Sequence, residues 1–367
     1  MSDLLYLAVD LVRIDSRSFV SNIPVADRVE AALGGFDVER LDYLDDAGIA
    51  KRALVARKGH GAGGIAFSGH MDTVPDTGWI SDPWSGHIED GWLHGLGSTD
   101  MKGPLAACII AARTLPSEVP VMLLITTDEE TTKAGARIIQ AKSELVRQFT
   151  PAAIMVAEPT CMVPVRGHRS SINFLAVATG VQAHSSTGRG RNANWDMLGF
   201  MMAMREIHRR LLDDPAWHDA AYDPPTSDFN MVIDNHGAPV NMTVPRTTVK
   251  MKFRYSAGID PAPIVAEVGA AAYNFGVALT VTREGPPPET SEEHPLIRLC
   301  VALTNERATT APYGTDASEL MPIAPCVILG PGDIWEAHTP GEKLRIADLE
   351  AAVPAFIRLA ERVAGGL

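Results

Sequence analysis

Five apolar runs of strand length set the terms on which this chain can fold: Ala53–Ala56, Gly64–Ser68, Val121–Thr126, Ala152–Ala157 and Cys326–Leu329. They are continuous rather than alternating, so each suits a sheet covered on both faces. Helical patterns separate them. Residues 3–13 and Val25–Leu33 carry apolar residues at helical spacing, Pro104–Leu115 opens with proline at a tolerated first-turn position, and Ala134–Phe149 continues the series. Buried strands alternating with helices define an α/β layer.

The middle of the chain changes rhythm. Ile172–Thr179 reads as a strand, Asn192–Leu212 as a long helix, Phe229–Ile233 and Thr247–Tyr255 as two strands, Pro261–Phe275 as a helix and Ala278–Thr282 as a last strand. Thr247–Tyr255 alternates, with Val249, Met251 and Phe253 on one face and Lys250, Lys252 and Arg254 on the other. The order β-α-β-β-α-β is ferredoxin-like. Because Cys326–Leu329 returns to the earlier style, this block is expected as an insertion, 167–285, into a discontinuous first domain of 1–166 and 286–367. Gly285-Pro286-Pro287-Pro288 marks the exit. A chain of 367 residues is long enough for two domains.

A net charge of −13 argues against nucleic acid or an anionic membrane as partner. No run reaches the roughly 18 apolar residues of a membrane helix. The N-terminus does not read as a signal peptide. Cys108, Cys161, Cys300 and Cys326 are scattered without C-x-x-C spacing, so buried free thiols in a reducing, cytoplasmic compartment are expected.

Polar clusters follow the buried-type strands. Gly69-His70-Met71-Asp72 comes after Gly64–Ser68, Thr127-Asp128-Glu129-Glu130 after Val121–Thr126, and Glu158-Pro159-Thr160 after Ala152–Ala157. A loop leads from Cys326–Leu329 to His338-Thr339-Pro340, and Asp100 stands just ahead of the Pro104 helix. Taken singly, each has an ordinary structural explanation: a loop histidine, a solvated turn, a helix cap, a strand end. Together they could converge at the carboxyl ends of the strands, where open α/β sheets bind ligands. Asp100, Glu129, Glu130 and Glu158 in one partly dry pocket would repel one another by several kcal/mol at roughly ε ≈ 20, which protonation or bound cations must relieve. Histidines among the carboxylates favour zinc, cobalt or manganese over magnesium or calcium. Asp72, two residues from His70, could orient its ring.

In this order these motifs resemble the dinuclear-zinc metallopeptidase family of acetylornithine deacetylase, succinyl-diaminopimelate desuccinylase and aminoacylase. The likeness runs from Ser68-Gly69-His70-Met71-Asp72 through Gly97-Ser98-Thr99-Asp100-Met101-Lys102-Gly103, Asp128-Glu129-Glu130-Thr131, Glu158-Pro159-Thr160 and Ala183-His184-Ser185-Ser186 to Ala337-His338-Thr339-Pro340. It is nearest acetylornithine deacetylase. The resemblance implies a zinc-peptidase-like α/β catalytic domain with the insertion as a lid and dimerisation domain. It implies two Zn2+ per chain, with Co2+ or Mn2+ as substitutes. His70 and Glu158 would hold one, Glu130 and His338 the other, and Asp100 would bridge them.

By the same likeness, Glu129 would be the general base and Asp72 would orient His70. His184 would reach a partner subunit's active site in a homodimer. Asn241, Arg254 and Thr315 match substrate-contacting positions. The activity implied is removal of an acyl group, acetyl foremost, from a small N-acyl amino acid such as N-acetylornithine. A dipeptidase or carboxypeptidase, a desuccinylase, and a non-catalytic metal- or amino-acid-binding relative stay open as alternatives. Gly167-His168-Arg169-Ser170 stands where acetylornithine deacetylases carry Ala-His-Lys-Gly, and Gly314-Thr315-Asp316-Ala317 where they carry Cys-Thr-Glu-Ala, so the side chain read by the enzyme is left open.

Overall fold

The structure, a computed structural model, describes residues 1–366. The chain divides into two compact units, one of Met1–Gly167, Pro288–Thr309 and Thr315 onward, the other of His168–Pro287 and Thr310–Gly314.

The first unit is α/β. Six strands of its sheet run in the order Asp37–Leu44, Ala50–Lys58, Val121–Thr126, Ile65–His70, Ala153–Val156, Cys326–Ile328. The strands Val121–Thr126, Ile65–His70, Ala153–Val156 and Cys326–Ile328 are mutually parallel, which aligns their carboxyl ends. Every residue of Ile65–His70 and Val121–Thr126 is buried, as a doubly covered sheet requires. Gly103–Thr114, rich in alanine and isoleucine and buried along most of its length, packs between Asp3–Val12 and the C-terminal helix Ile346–Ala364. The Phe67 and Phe356 rings meet at 5.7 Å and join the sheet to that last helix.

One expectation fails locally. Ala134–Phe149 is not one helix but two, Ala134–Lys142 and Glu144–Gln148. Ser143 takes an extended conformation between them, accepts the Val146 N–H as an N-cap and donates to Glu39 Oε2 at 2.6 Å. A serine that gains two such bonds favours a cap over a helix interior. The thiols also depart in part from expectation. All four cysteines are free and three are buried, but Cys161 is exposed, in the turn that follows Glu158-Pro159-Thr160.

The second unit holds an antiparallel sheet in the order Asp228–Asp234, Arg246–Tyr255, Ser170–Thr179, Ala278–Arg283, with helices Ala193–Asp213 and Ala262–Asn274 between strands. This is the β-α-β-β-α-β order read from the sequence. Val249, Met251 and Phe253 face the core with Phe174, Phe200 and Val268, while Lys250 is exposed and Lys252 and Arg254 are half-buried. Among the described residues, no helix is long and apolar enough to cross a membrane.

Candidate metal centre

The parallel strands of the first unit deliver their polar clusters to one place. His70 ends its strand, the Asp128–Glu130 turn follows Val121–Thr126, and Glu158 follows Ala153–Val156. Two glycines make the approach possible. A Cβ at Gly135 would stand 2.5 Å from the Thr127 carbonyl oxygen, and one at Gly330 would stand 2.4 Å from that of Ala157. Any side chain there would push away the turn bearing Glu129 and Glu130, or the segment bearing Glu158.

Asp100 lies between two imidazoles. Its Oδ1 is 3.1 Å from His70 Nε2, and its Oδ2 is 3.2 Å from His338 Nε2. His70 Nε2 also stands 3.8 Å from Glu158 Oε1, and His338 Nε2 stands 3.0 Å from Glu130 Oε1. Candidate ligand atoms of His70, Glu129 and Glu158 lie within 4.8 Å of one another, as do those of His70, Asp100 and Glu130. His70, Asp100 and Glu158 are buried; half of the His338 side chain is exposed.

The electrostatics follow from packing acids together. Burial, with Asp100 nearby, pushes the Glu130 carboxyl up to about 8, and burial raises Glu158 well above the usual carboxylate range. Burial raises Glu129 too, opposed by the Lys133 ammonium 3.8 Å away. Asp100 is held below its ordinary value: burial works against this, and the hydrogen bonds with His338 and His70 outweigh it. Asp100 and Glu130 raise His338 to about 11. Imidazoles interleaved with carboxylates that repel one another are a donor set suited to divalent transition metals, whose charge removes the repulsion. The residues present fit such ions.

Three supports hold the ligands. His70 Nδ1 lies 3.0 Å from the Asp72 carbonyl oxygen and 3.6 Å from its carboxylate, so the main chain stands nearer than the side chain expected to orient it. The Asp72 carboxylate instead accepts the Glu129 and Glu130 N–H groups, at 3.2 and 3.3 Å, and thereby fixes the turn. From the other side Asp128 pairs with fully buried Lys51 at 2.9 Å and accepts from Tyr43 Oη at 2.7 Å.

The third support is Glu342. Its carboxylate accepts the main-chain N–H groups of Gly97, Thr99 and Asp100 at 3.0, 2.8 and 2.9 Å, gripping the loop that presents Asp100. The sequence reading passed over Glu342, Lys51 and Lys133. The one available signal was the proximity of Glu342 to His338 along the chain. Glu342→Ala strands three buried N–H donors at about 1–3 kcal/mol each. It is expected to lower unfolding stability by about 3 kcal/mol or more, measured by denaturant titration. A loss under about 0.5 kcal/mol, the range of ordinary surface changes, would show that the grip contributes little.

Buried Thr315, in the first unit, accepts the Ala317 N–H through Oγ1 at 3.1 Å. His184, Asn241 and Arg254 belong to the second unit. His184 is exposed, its Nδ1 is 2.9 Å from Ser186 Oγ, and it forms a β-bridge with Met242. The Asn241 carbonyl accepts from Ser185 N at 3.0 Å, and Arg254 is paired with Asp228 at 2.6 Å.

Clustered imidazoles and carboxylates at the carboxyl ends of parallel strands define an α/β protein with a candidate metal centre. More narrowly, residues 66–362 match peptidase family M20/M25/M40; the chain belongs to that family and is a hydrolase of amide bonds. It is 31% identical over 326 residues to an acetylornithine deacetylase of Klebsiella pneumoniae (strain 342), covering 84% of this chain and 82% of the relative. Its fold is similar to that of an M20 family metallo-carboxypeptidase from Sulfolobus solfataricus, with TM-score 0.76, 16% identity and full coverage of both chains (100% of each). It is also similar in fold to a dinuclear metal binding peptidase of Bacillus subtilis, with TM-score 0.64, 14% identity and coverage of 99% and 98%.

Proposed function

We propose that this protein removes an N-acyl group, acetyl foremost, from a small amino acid such as N-acetylornithine, using two zinc ions for which cobalt or manganese can substitute. The observation that carries this reading is Asp100, whose two carboxylate oxygens each face a different imidazole at 3.1 and 3.2 Å. His70 and Glu158 would hold one ion, Glu130 and His338 the other, and Asp100 would be shared between them. When bound, such ions polarise an amide carbonyl and lower the cost of deprotonating water. The 31% identity to an acetylornithine deacetylase supports the substrate class.

The chain's own residues then move the proton. Glu129, which carries no ligand duty here, takes it from the attacking water as the oxygen bonds to the acyl carbon. It delivers that proton to the amine nitrogen as the C–N bond breaks, leaving a carboxylic acid and a free amino acid. Lys133 favours the ionised form of Glu129 that this requires, and burial keeps that form basic enough to act. Asp72 positions both His70 and the Glu129–Glu130 turn. Asn241, Arg254 and Thr315 are assigned to the substrate, with Arg254 receiving its carboxylate in exchange for Asp228.

His184 is assigned to the oxyanion in a second copy of the chain, paired through the inserted unit. The exposed apolar residues Met231, Val232 and Ile233 on the edge strand Asp228–Asp234 support that pairing. Mixing His184→Ala with Glu129→Gln subunits is expected to recover activity in the hybrid; a hybrid as inactive as its parents overturns the sharing. The substrate assignment is tested by hydrolysis of N-acetylornithine, N-acetylcitrulline, succinyl-diaminopimelate and dipeptides, with metal content measured alongside. Preference for dipeptides over every N-acyl amino acid would refute it.

A further inference from the structure

A second group of metal-ligating side chains lies on the surface of the first unit. The strands Ile88–Glu89 and Trp92–His94 form a hairpin across the turn Asp90-Gly91, whose φ values of 49° and 82° suit a tight reversal. Lys343–Arg345 adds a third strand. Leu93 and Leu344 point to the core, so the residues alternating with them face solvent. His87 and Glu89, two apart, share that outer face, and the His94 N–H bonds to the His87 carbonyl at 2.9 Å, which sets the two histidines opposite each other.

The imidazole rings of His87 and His94 stack with centroids 4.4 Å apart and planes 7° from parallel. His87 Nδ1 is 2.9 Å from Ser85 Oγ, and its Nε2 stands 3.9 Å from Glu89 Oε2. One ligand atom from each of His87, Glu89 and His94 falls within 4.8 Å of the other two. Metal–nitrogen bonds of about 2.0–2.1 Å require the ligand atoms to close to roughly 3.3 Å, and an ion must lie in the plane of each imidazole, so the stacked rings must also turn apart, a movement open to exposed His87 and Glu89 beside half-buried His94. Lys343 pairs across the strands with His94, and its charge bears on that imidazole. Lys343 and Arg345 both lie over the Trp92 ring, at 4.8 and 5.5 Å.

We propose that His87, His94 and Glu89 form a surface site for a divalent transition-metal ion of the imidazole-favouring class, such as zinc, nickel or copper, separate from the buried cluster. Two imidazoles and one carboxylate leave coordination positions open to water, and hard oxygen-seeking ions are disfavoured. The ligands come from one hairpin and the residue just before it, so little chain entropy is lost when they close on an ion. Nothing in the hydrolysis proposed above uses this site.

Its exposure provides the test. The untagged, metal-loaded protein is passed over immobilised Ni2+, where a resin-bound ion can reach the hairpin but not buried His70 or Asp100. The native chain is expected to be retained, and His87→Gln/His94→Gln, left with scattered single histidines, to elute at clearly lower imidazole. Equilibrium dialysis against Zn2+ is expected to show one ion more per native chain than per double variant, with the buried cluster and the hydrolytic rate unaffected. Equal retention of the two proteins, or equal zinc content, overturns the proposal, since both substitutions lie on the solvent face and leave the buried Leu93 side untouched. Glu89→Gln is expected to weaken retention without abolishing it; retention unchanged in that variant would remove Glu89 from the ligand set.

Discussion

Glu129→Gln is expected to lower turnover by about 10²–10⁴-fold, the usual contribution of a positioned general base, while metal content and folding persist. The substitution keeps the shape of the side chain and removes only its ability to accept and return a proton. Glutamine still accepts hydrogen bonds, and the main-chain N–H of residue 129 still reaches the Asp72 carboxylate, so the turn stays in place. In the proposed ligand assignment Glu129 binds no ion, and this distinguishes the variant from changes at Glu130 or Glu158. Zinc stoichiometry together with hydrolysis of N-acetylornithine gives the readout. Turnover equal to that of the native chain would end the case for Glu129 as base. Loss of one zinc along with activity would instead move Glu129 into the ligand set, which the closeness of its carboxylate to His70 and Glu158 makes a real alternative.

How far the site was legible in the sequence depended on where each group sits. His70, Glu129, Glu130 and Glu158 stand directly after continuous apolar strands, and parallel strands put their carboxyl ends together, so strand order alone made them neighbours. His338 and Asp100 arrive on loops and were placed by the order of motifs. Lys51, Lys133 and Glu342 carried no such mark. A buried charge is tolerated only when a partner meets it, and the partners, Asp128 for Lys51 and three loop N–H groups for Glu342, are fixed by tertiary packing. The break at Ser143 has the same character: the apolar spacing of Ala134–Phe149 continues through it, and the cap rests on Glu39, more than a hundred residues away. In the second unit, by contrast, the alternation of Thr247–Tyr255 determined which face is core because one side of that sheet is solvated.

Asp100→Asn is expected to have the largest effect on metal binding, and its cost in stability should be greater with metal than without. An asparagine presents one oxygen and one NH2 group, so one of the two imidazole-facing positions changes from acceptor to donor and the shared negative charge disappears. Losing a partner outside the ligand set typically costs 10–100-fold in metal affinity, and a shared ligand should cost at least about 100-fold. By linkage, a 100-fold weaker affinity removes about 2.7 kcal/mol of metal-dependent stabilisation per ion at fixed free metal. Without metal two effects oppose each other, since the variant also loses the charge of a carboxyl that His70 and His338 hold below its ordinary pKa. Asp100 helps to push Glu130 up to about 8 and to raise Glu158, so removing its charge relieves repulsion among buried carboxylates. The difference between variant and native chain should therefore be smaller when both are chelated than when both are zinc-loaded. Thermal unfolding with and without excess zinc measures both differences in one experiment. If zinc raises the melting temperature of Asp100→Asn as much as that of the native chain, Asp100 does not hold the ions, and the shared-ligand reading of His70 and His338 fails with it.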